Sequence, residues 1–359
     1  MSAYATEQPA AVAFLPDRRR LAWRLLLVAG VIAALTLAVT SLPGLGDVRD
    51  RLAEAAPGWL LAAAALQLAS CLAFVAAFRG VFCHRLPWRM SYEVGMAAQG
   101  TNVLLPSGGA GGLALAAWAL KRAGMPTERL ARRTVAFYVL TSSVNFLTAV
   151  IAGLALAIGG GALLWTAGPA VAAALVIGAV VALPRLFTRP REGRAGRVLG
   201  ALSAGIRDAI RLVRAGHPLI LAGAIGFMAF DLLALGAAFT AIGALPPIGV
   251  LALAYVVGQL GGLIPLPGGV GGADGGLIAA LVVYGTPLTS AAAAVLAYRA
   301  FQFGLPALLG GLAVARLPRV VQRAPDTGLL CEPQPQASRR GGARTPAPRV
   351  AAGAQASTA

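Results

Sequence analysis

Where the arginines fall limits this chain more than any single motif does. Of 30 lysine and arginine residues, only Arg49, Arg51 and Arg299 lie outside an N-terminal segment, a set of loops and a C-terminal tail. Between those basic segments run apolar stretches of bilayer-crossing length. This is the positive-inside pattern of a multi-pass membrane protein, and it puts the basic segments on the cytoplasmic side. With 58% hydrophobic and 12% charged residues, an ordinary soluble domain is excluded. A net charge of +17 would also suit a nucleic-acid binder. Here the arginines are dispersed over membrane-flanking loops with no nucleic-acid motif beside them, so nucleic acid is excluded as a partner.

Taken in order, residues 1–17 are polar and small and are expected to be disordered. Residues 18–323 form the membrane domain, and 324–359, rich in Pro, Ala, Gly, Ser and Arg, form a disordered basic tail. Six spans are predicted, at 25–40, 59–81, 135–158, 163–183, 219–241 and 290–315, with both termini cytoplasmic. Residues 43–57 make an outside loop. The loop at 185–214 holds eight arginines against Glu192 and Asp208. Within it Val198, Leu199, Leu202, Ile206, Ile210 and Val213 recur at helical spacing, with Arg197, Arg207, Arg211 and Arg214 on the other faces. Two readings stand for it: a helix lying on the anionic inner leaflet, or a solvated connecting helix.

Two segments break the apolar pattern. In residues 263–277, Pro265 and Pro267 stop a helix arriving from 251–260. Gly268, Gly269, Gly271 and Gly272 then free the backbone, and Asp274 stands where a new helix begins. Irregular backbone at membrane depth survives only where protein buries it or water reaches it. The stretch therefore reads as a re-entrant hairpin, spanning 249–284, that lines a cavity. A weaker copy has arms at 92–105 and 112–120, with Asn102 and Pro106 before its glycines. Pro106 and Pro126 repeat the spacing of Pro267 and Pro287, and Gly124 matches Gly285. Interrupted segments at matching positions in two halves point to a transporter site. The first hairpin enters from inside and the second from outside, so the repeat is inverted. If every hairpin arm is a span, the count is eight crossings.

Ionisable residues inside spans are costly, and that makes them functional candidates. Three are recognised: Asp231 in the fifth span, Asp274 after the glycine turn, and Arg299 in the sixth, with Gln302 one helical turn on. Either acid can pair with Arg299. Arg299 and the hairpin N–H groups would hold an anionic headgroup, phosphate above all, because guanidinium bonds phosphate bidentately. An acid could exchange a proton to drive the cycle. The alternative is a buried ion pair that only fixes helix positions.

No catalytic or phosphate-loop motif is present, so an enzyme is not expected and no cofactor is implied. Cys83-His84 is too small a cluster for a metal site. Cys71 falls in a span, Cys83 and Cys331 on the cytoplasmic side, and no disulfide framework is expected.

Pro265-Leu-Pro-Gly-Gly-Val-Gly-Gly-Ala-Asp274, then Tyr284-Gly-Thr-Pro287, then Tyr298-Arg299 before Pro306, resemble the membrane domain of the lysylphosphatidylglycerol synthase family, a flippase-like domain also found as stand-alone proteins. The resemblance covers about residues 20–320. Asp274 stands where that family more often has Glu. The family's first hairpin commonly carries an Arg and a Gly-Glu pair after its proline, and this chain has Ser107-Gly-Gly-Ala-Gly-Gly-Leu-Ala114 instead. The tail after Arg323 is too short for the soluble aminoacyl-transfer domain, so the resemblance implies lipid handling rather than lipid synthesis.

The expectation is thus an all-α integral membrane protein of the bacterial plasma membrane that moves an anionic phospholipid, or a polyprenyl- or glycolipid headgroup, between leaflets. An ion-coupled transporter of a small anion, or an accessory subunit of an envelope-lipid enzyme, are the alternatives. The Ala and Gly content suits close helix packing and is compatible with a homodimer.

Overall fold

The computed structural model describes residues 46–104, 110–161, 163–186, 193–261, 272–323 and residue 331. Among the described residues the chain forms eleven helices and no strand. In a bilayer only a helix or a closed barrel pairs every backbone N–H and C=O. Helices α2 (Pro57–Phe82), α5 (Thr127–Ile158), α6 (Leu163–Leu186), α8 (Pro218–Ala241) and α11 (Leu288–Gln322) are long and apolar enough to cross a membrane. They correspond to five of the six predicted spans. The sixth, 25–40, lies outside the described residues. Helix α5 starts eight residues before its predicted span and α11 runs on to Gln322, both at the arginine-rich end. Arginine is a good helix former, and its long stem lets the helix continue past the apolar layer. A short helix, α1 (Gly46–Ala53), occupies the segment expected as an outside loop.

Four shorter helices fall in two pairs: α3 (Trp88–Leu104) with α4 (Ala110–Arg122), and α9 (Ile248–Gly261) with α10 (Gly272–Val283). At 1.5 Å per residue their lengths run from about 18 to 26 Å, short of a core about 30 Å thick. Their arms are antiparallel. The Gly112 N–H donates to Asn102 Oδ1 at 2.7 Å. Gly258 lies so close to Leu277 that a Cβ there would come within 2.7 Å of the leucine Cβ. Each pair goes in and returns. The first leaves from the arginine-rich end, where Arg79 Nε donates to the Leu86 carbonyl at 2.8 Å and α4 closes on Lys121 and Arg122. The second leaves from the other end, where Tyr284 donates its O–H to the Trp165 carbonyl at 2.7 Å.

The repeat is visible in the backbone. Gly124 and Gly285 both take positive φ, 95° and 91°, which the turn into the next span requires. Pro126 and Pro287 then cap α5 and α11 with matching dihedrals, φ −59°, ψ 137° and φ −58°, ψ 137°. Pro57 and Pro218, which open α2 and α8, share the same offset. Helices α2 and α8 run antiparallel. Ala56 N–H donates to the Ala241 carbonyl at 2.8 Å at one end. Gly80 meets Ile220 at the other, with Ala77 against Gly223 between. Equivalent helices point in opposite directions, so the repeat is inverted. The halves also exchange partners, α11 packing on the first hairpin and α5 on the second. At the α3–α11 seam a Cβ on Gly100 would lie 2.7 Å from Gly310 Cα. Such small residues let helices approach where lipid supplies no hydrophobic drive.

Helix α7 (Gly193–Arg214) is the amphipathic segment, and it docks on α5 through one face. Ile206, Asp208 and Ala209 are buried and Gly205 faces Val135. Arg132 grips both oxygens of Asp208 at 2.9 and 3.0 Å, and Arg211 adds a second ion pair. Burial alone would push the Asp208 carboxyl up, but the Arg132 hydrogen bonds and the surrounding guanidinium charge outweigh it and hold it below the usual range. Arg207, Arg211 and Arg214 stay exposed.

One expectation is corrected. Cys83 and Cys331, 248 positions apart, form a disulfide. No local pattern could show it, because the pairing depends on the end of α2 and the chain beyond α11 emerging on the same side. Whether such a bond persists is decided by the redox state of its compartment. The rings of His84 and His217 come together on that side too, with centroids 5.9 Å apart.

Apolar packing divides into two cores. One surrounds the first hairpin with the ends of α2, α5 and α11; the other surrounds the second hairpin with α8. Polar side chains gather between them.

Candidate functional site

A cavity of about 260 Å³ opens near mid-height of the bundle. Helices α2, α3, α5, α8, α9 and α11 all contribute to its wall. Asn102 and Gln259, each close to the inner end of a hairpin arm, line it, so both hairpins converge on it. Among the described residues of the wall Arg299 is the one cation and Asp231 the one acid.

The helices fix these groups by simple geometry. On α11, Tyr298, Arg299 and Gln302 share a face through their three- and four-residue spacing. Arg299 donates to Gln302 Oε1, and Gln302 Nε2 reaches the Tyr298 hydroxyl at 2.5 Å and Asp231 Oδ2 at 3.2 Å. Pro306, one turn on, has no N–H to offer the Gln302 carbonyl. Asp231 sits mid-way along α8, 4% exposed. Its Oδ2 also accepts the hydroxyls of Tyr255 at 2.5 Å and Tyr298 at 2.8 Å. Asp274, in the first turn of α10, forms an ion pair with Arg299 Nε, and both are mostly buried. A guanidinium held by an acid on one side and an amide on the other is a cation kept available to a second anion.

The expected site residues therefore divide. Asp231, Asp274, Arg299 and Gln302 come together as one network. Of the two acids open to Arg299 in the sequence, Asp274 takes the ion pair. Asn102 lines the cavity, and its carbonyl oxygen is spent on holding the first hairpin closed. Gly268, Gly269, Gly271, Pro106, Pro265 and Pro267 lie outside the described residues.

Several contributors are absent from the expected site residues, although Tyr298 stands in the motif that carries the family resemblance. Tyr255 and Tyr298 supply two of the three hydrogen bonds to Asp231. Gln67 and Asn145 bring amide oxygens that are buried and have no hydrogen-bond partner among the described residues. A screen for ionisable residues passes over these side chains; a screen for amides and tyrosines inside apolar runs would have found them. Glu93 is a further buried acid, 4% exposed on α3, with Arg316 at 3.8 Å. It is not part of the cavity wall. Among the described residues no group of three His, Cys, Asp or Glu side chains is placed to hold a metal ion.

A family model described as the lysylphosphatidylglycerol synthase TM region matches residues 21–310. No curated protein matches the chain.

Proposed function

Starting from the lysylphosphatidylglycerol synthase TM-region family, to which this chain belongs and whose membrane domain is associated with lipid handling, we propose that the protein carries the anionic headgroup of a membrane lipid between leaflets. The observation that carries this reading is Arg299: an intramembrane guanidinium on the wall of a polar cavity, at the meeting point of two oppositely inserted hairpins. Such a charge costs several kcal/mol to bury, on the order of 2.5–3.5 kcal/mol on insertion scales, and is retained where it has work to do. A headgroup phosphate would take the place of Asp274 or share Arg299 with it. Asn145 Oδ1, a buried acceptor without a donor, would meet a headgroup hydroxyl or amine. The volume suits a headgroup and leaves acyl chains to the bilayer. Alternating closure of the two hairpins would expose the headgroup to one leaflet and then the other.

In this reading the arginine-rich end faces the cytoplasm of a bacterial cell, the protein moves lipid and does not synthesise it, and the exposed arginines of α7 face the anionic inner leaflet. Exchange of fluorescent phosphatidylglycerol in proteoliposomes tests it. Wild type should accelerate exchange, and Arg299→Ala should slow it at least about tenfold, the loss expected for one charge-assisted contact. Wild-type protein that folds and accelerates no lipid tried would defeat the reading. The same 260 Å³ would also admit a free small anion; uptake of a soluble phosphate ester without lipid exchange would favour that transporter.

A further inference from the structure

We propose that Asp231 carries a proton on Oδ1, and that an anionic headgroup and this proton occupy the cavity together. The proposal deepens the lipid-transport reading and rests on it for the identity of the anion.

The two oxygens of Asp231 are unlike each other. Oδ2 accepts three hydrogen bonds, from Tyr255, Tyr298 and Gln302. Oδ1 is buried and accepts none among the described residues. Gln67, 3% exposed on α2, adjoins Asp231 and presents an Oε1 that is likewise buried without a donor. Two acceptors closed to solvent and lacking donors are a costly arrangement. One proton on Oδ1 removes both faults, because a protonated carboxyl gains an O–H to donate and Gln67 Oε1 can receive it. Neither oxygen is open to water, so a hydrated metal ion is the poorer occupant and a proton the better one.

Charge balance gives the proton a role. Asp274 and Arg299 together are neutral. With Asp231 protonated, an arriving phosphodiester adds one negative charge to the site. With Asp231 ionised it adds a second negative charge beside a first. Headgroup and proton therefore favour each other's binding, and by linkage the effect is mutual. The other titratable or charged groups facing Asp231 are Cys71 on α2, Tyr255 on α9, and Tyr298 and Arg299 on α11, with Asp274 of α10 one ion pair further off. Thiols, phenols and guanidinium groups ordinarily titrate above neutral pH and carboxyls below it, and Asp231 is the carboxyl with an oxygen that no described donor reaches. Asp231 is then the group left to titrate.

Three measurements test this. The infrared spectrum of the wild-type protein should contain a protonated-carboxyl C=O band that Asp231→Asn removes. A spectrum without it would mean an ionised Asp231 bonded to a reversed Gln67 amide, and would overturn the proposal. Binding of glycerophosphoglycerol, a phosphodiester with no second proton to exchange, followed by calorimetry in buffers of different ionisation enthalpy, should take up a proton fraction that rises toward one as pH is raised. Uptake absent at every pH would also overturn it. Phosphatidylglycerol exchange by wild type should fall with rising pH, approaching about tenfold per pH unit, and Asp231→Asn should flatten that slope. Exchange that follows Na⁺ and ignores pH would overturn it as well. The first two readings need no functional variant. If both succeed while no lipid is exchanged, the shared site for anion and proton stands and only the lipid reading fails.

Discussion

Tyr298, Arg299 and Gln302 of α11 stand, at the constant offset of the repeat, where α5 has Phe137, Tyr138 and Thr141. Asp231 stands opposite Ser70, Tyr255 opposite Val94, and Asp274 opposite Leu113. The second half has built a charged network. At the corresponding place the first half has built an aromatic cluster, with Phe137 edge-on to Phe74 at 5.1 Å and near Phe78 and Phe82. The exchange also runs the other way. Gln67 and Asn145 of the first half face the cavity where the second half has Met228 and Pro306. One backbone plan, used twice in opposite directions, thus gives a cavity whose charges come from one half and whose orphan amides come from the other. Each intramembrane charge is expensive, and here one half carries the whole charged set.

The largest way to probe that difference is Phe137→Ala. Removing a buried aromatic costs about 3–5 kcal/mol, so the protein should melt earlier in detergent while exchange per folded molecule persists. Exchange lost with the fold intact would make the first half a second site and break the comparison. Next is Gly310→Leu. Its side chain would drive into Gly100 and the Met96 carbonyl, and overpacking should cost about 1–3 kcal/mol by parting α3 from α11. Unchanged thermal stability would mean that the close seam is dispensable.

A comparable effect is expected for Asp208→Asn, outside the repeat. The charged hydrogen bonds to Arg132 are worth about 1.5–3 kcal/mol. Because the folded carboxyl titrates below its unfolded value, near 3.9, this contribution is full above that pH and fades as pH falls through the lower folded value. Accessibility of a cysteine placed at Ala209 should therefore rise below about pH 4 in the parent and already be high in Asp208→Asn. The smallest effect is Tyr298→Phe, which converts a site residue into its first-half counterpart. It should cost about 1 kcal/mol in stability and shift the pH profile of exchange, since Asp231 loses one donor. A profile that does not move would separate Tyr298 from the site.

Much of this was legible without coordinates. The apolar runs and the arginines between them marked out the spans, and the prolines and glycines marked out the hairpins. Arg299 and Gln302 could be paired from their three-residue spacing on one helix. What escaped was whatever depended on partners distant in the chain. The donors to Asp231 come from 24, 67 and 71 positions away. The docking of α7 could not be told from a free surface helix, because amphipathic periodicity is the same for both.

By itself, then, the sequence determined a multi-pass helical protein with two inserted hairpins. Hydropathy, helix breakers and positive charge act locally and leave local traces. The tertiary structure alone decided that Asp274 would hold Arg299, that Asp231 would collect two tyrosines and leave one oxygen bare, and that Cys83 would meet Cys331. Those outcomes depend on which helix faces pack together. In a membrane that choice is made by small residues and hydrogen bonds whose partners no periodicity reveals.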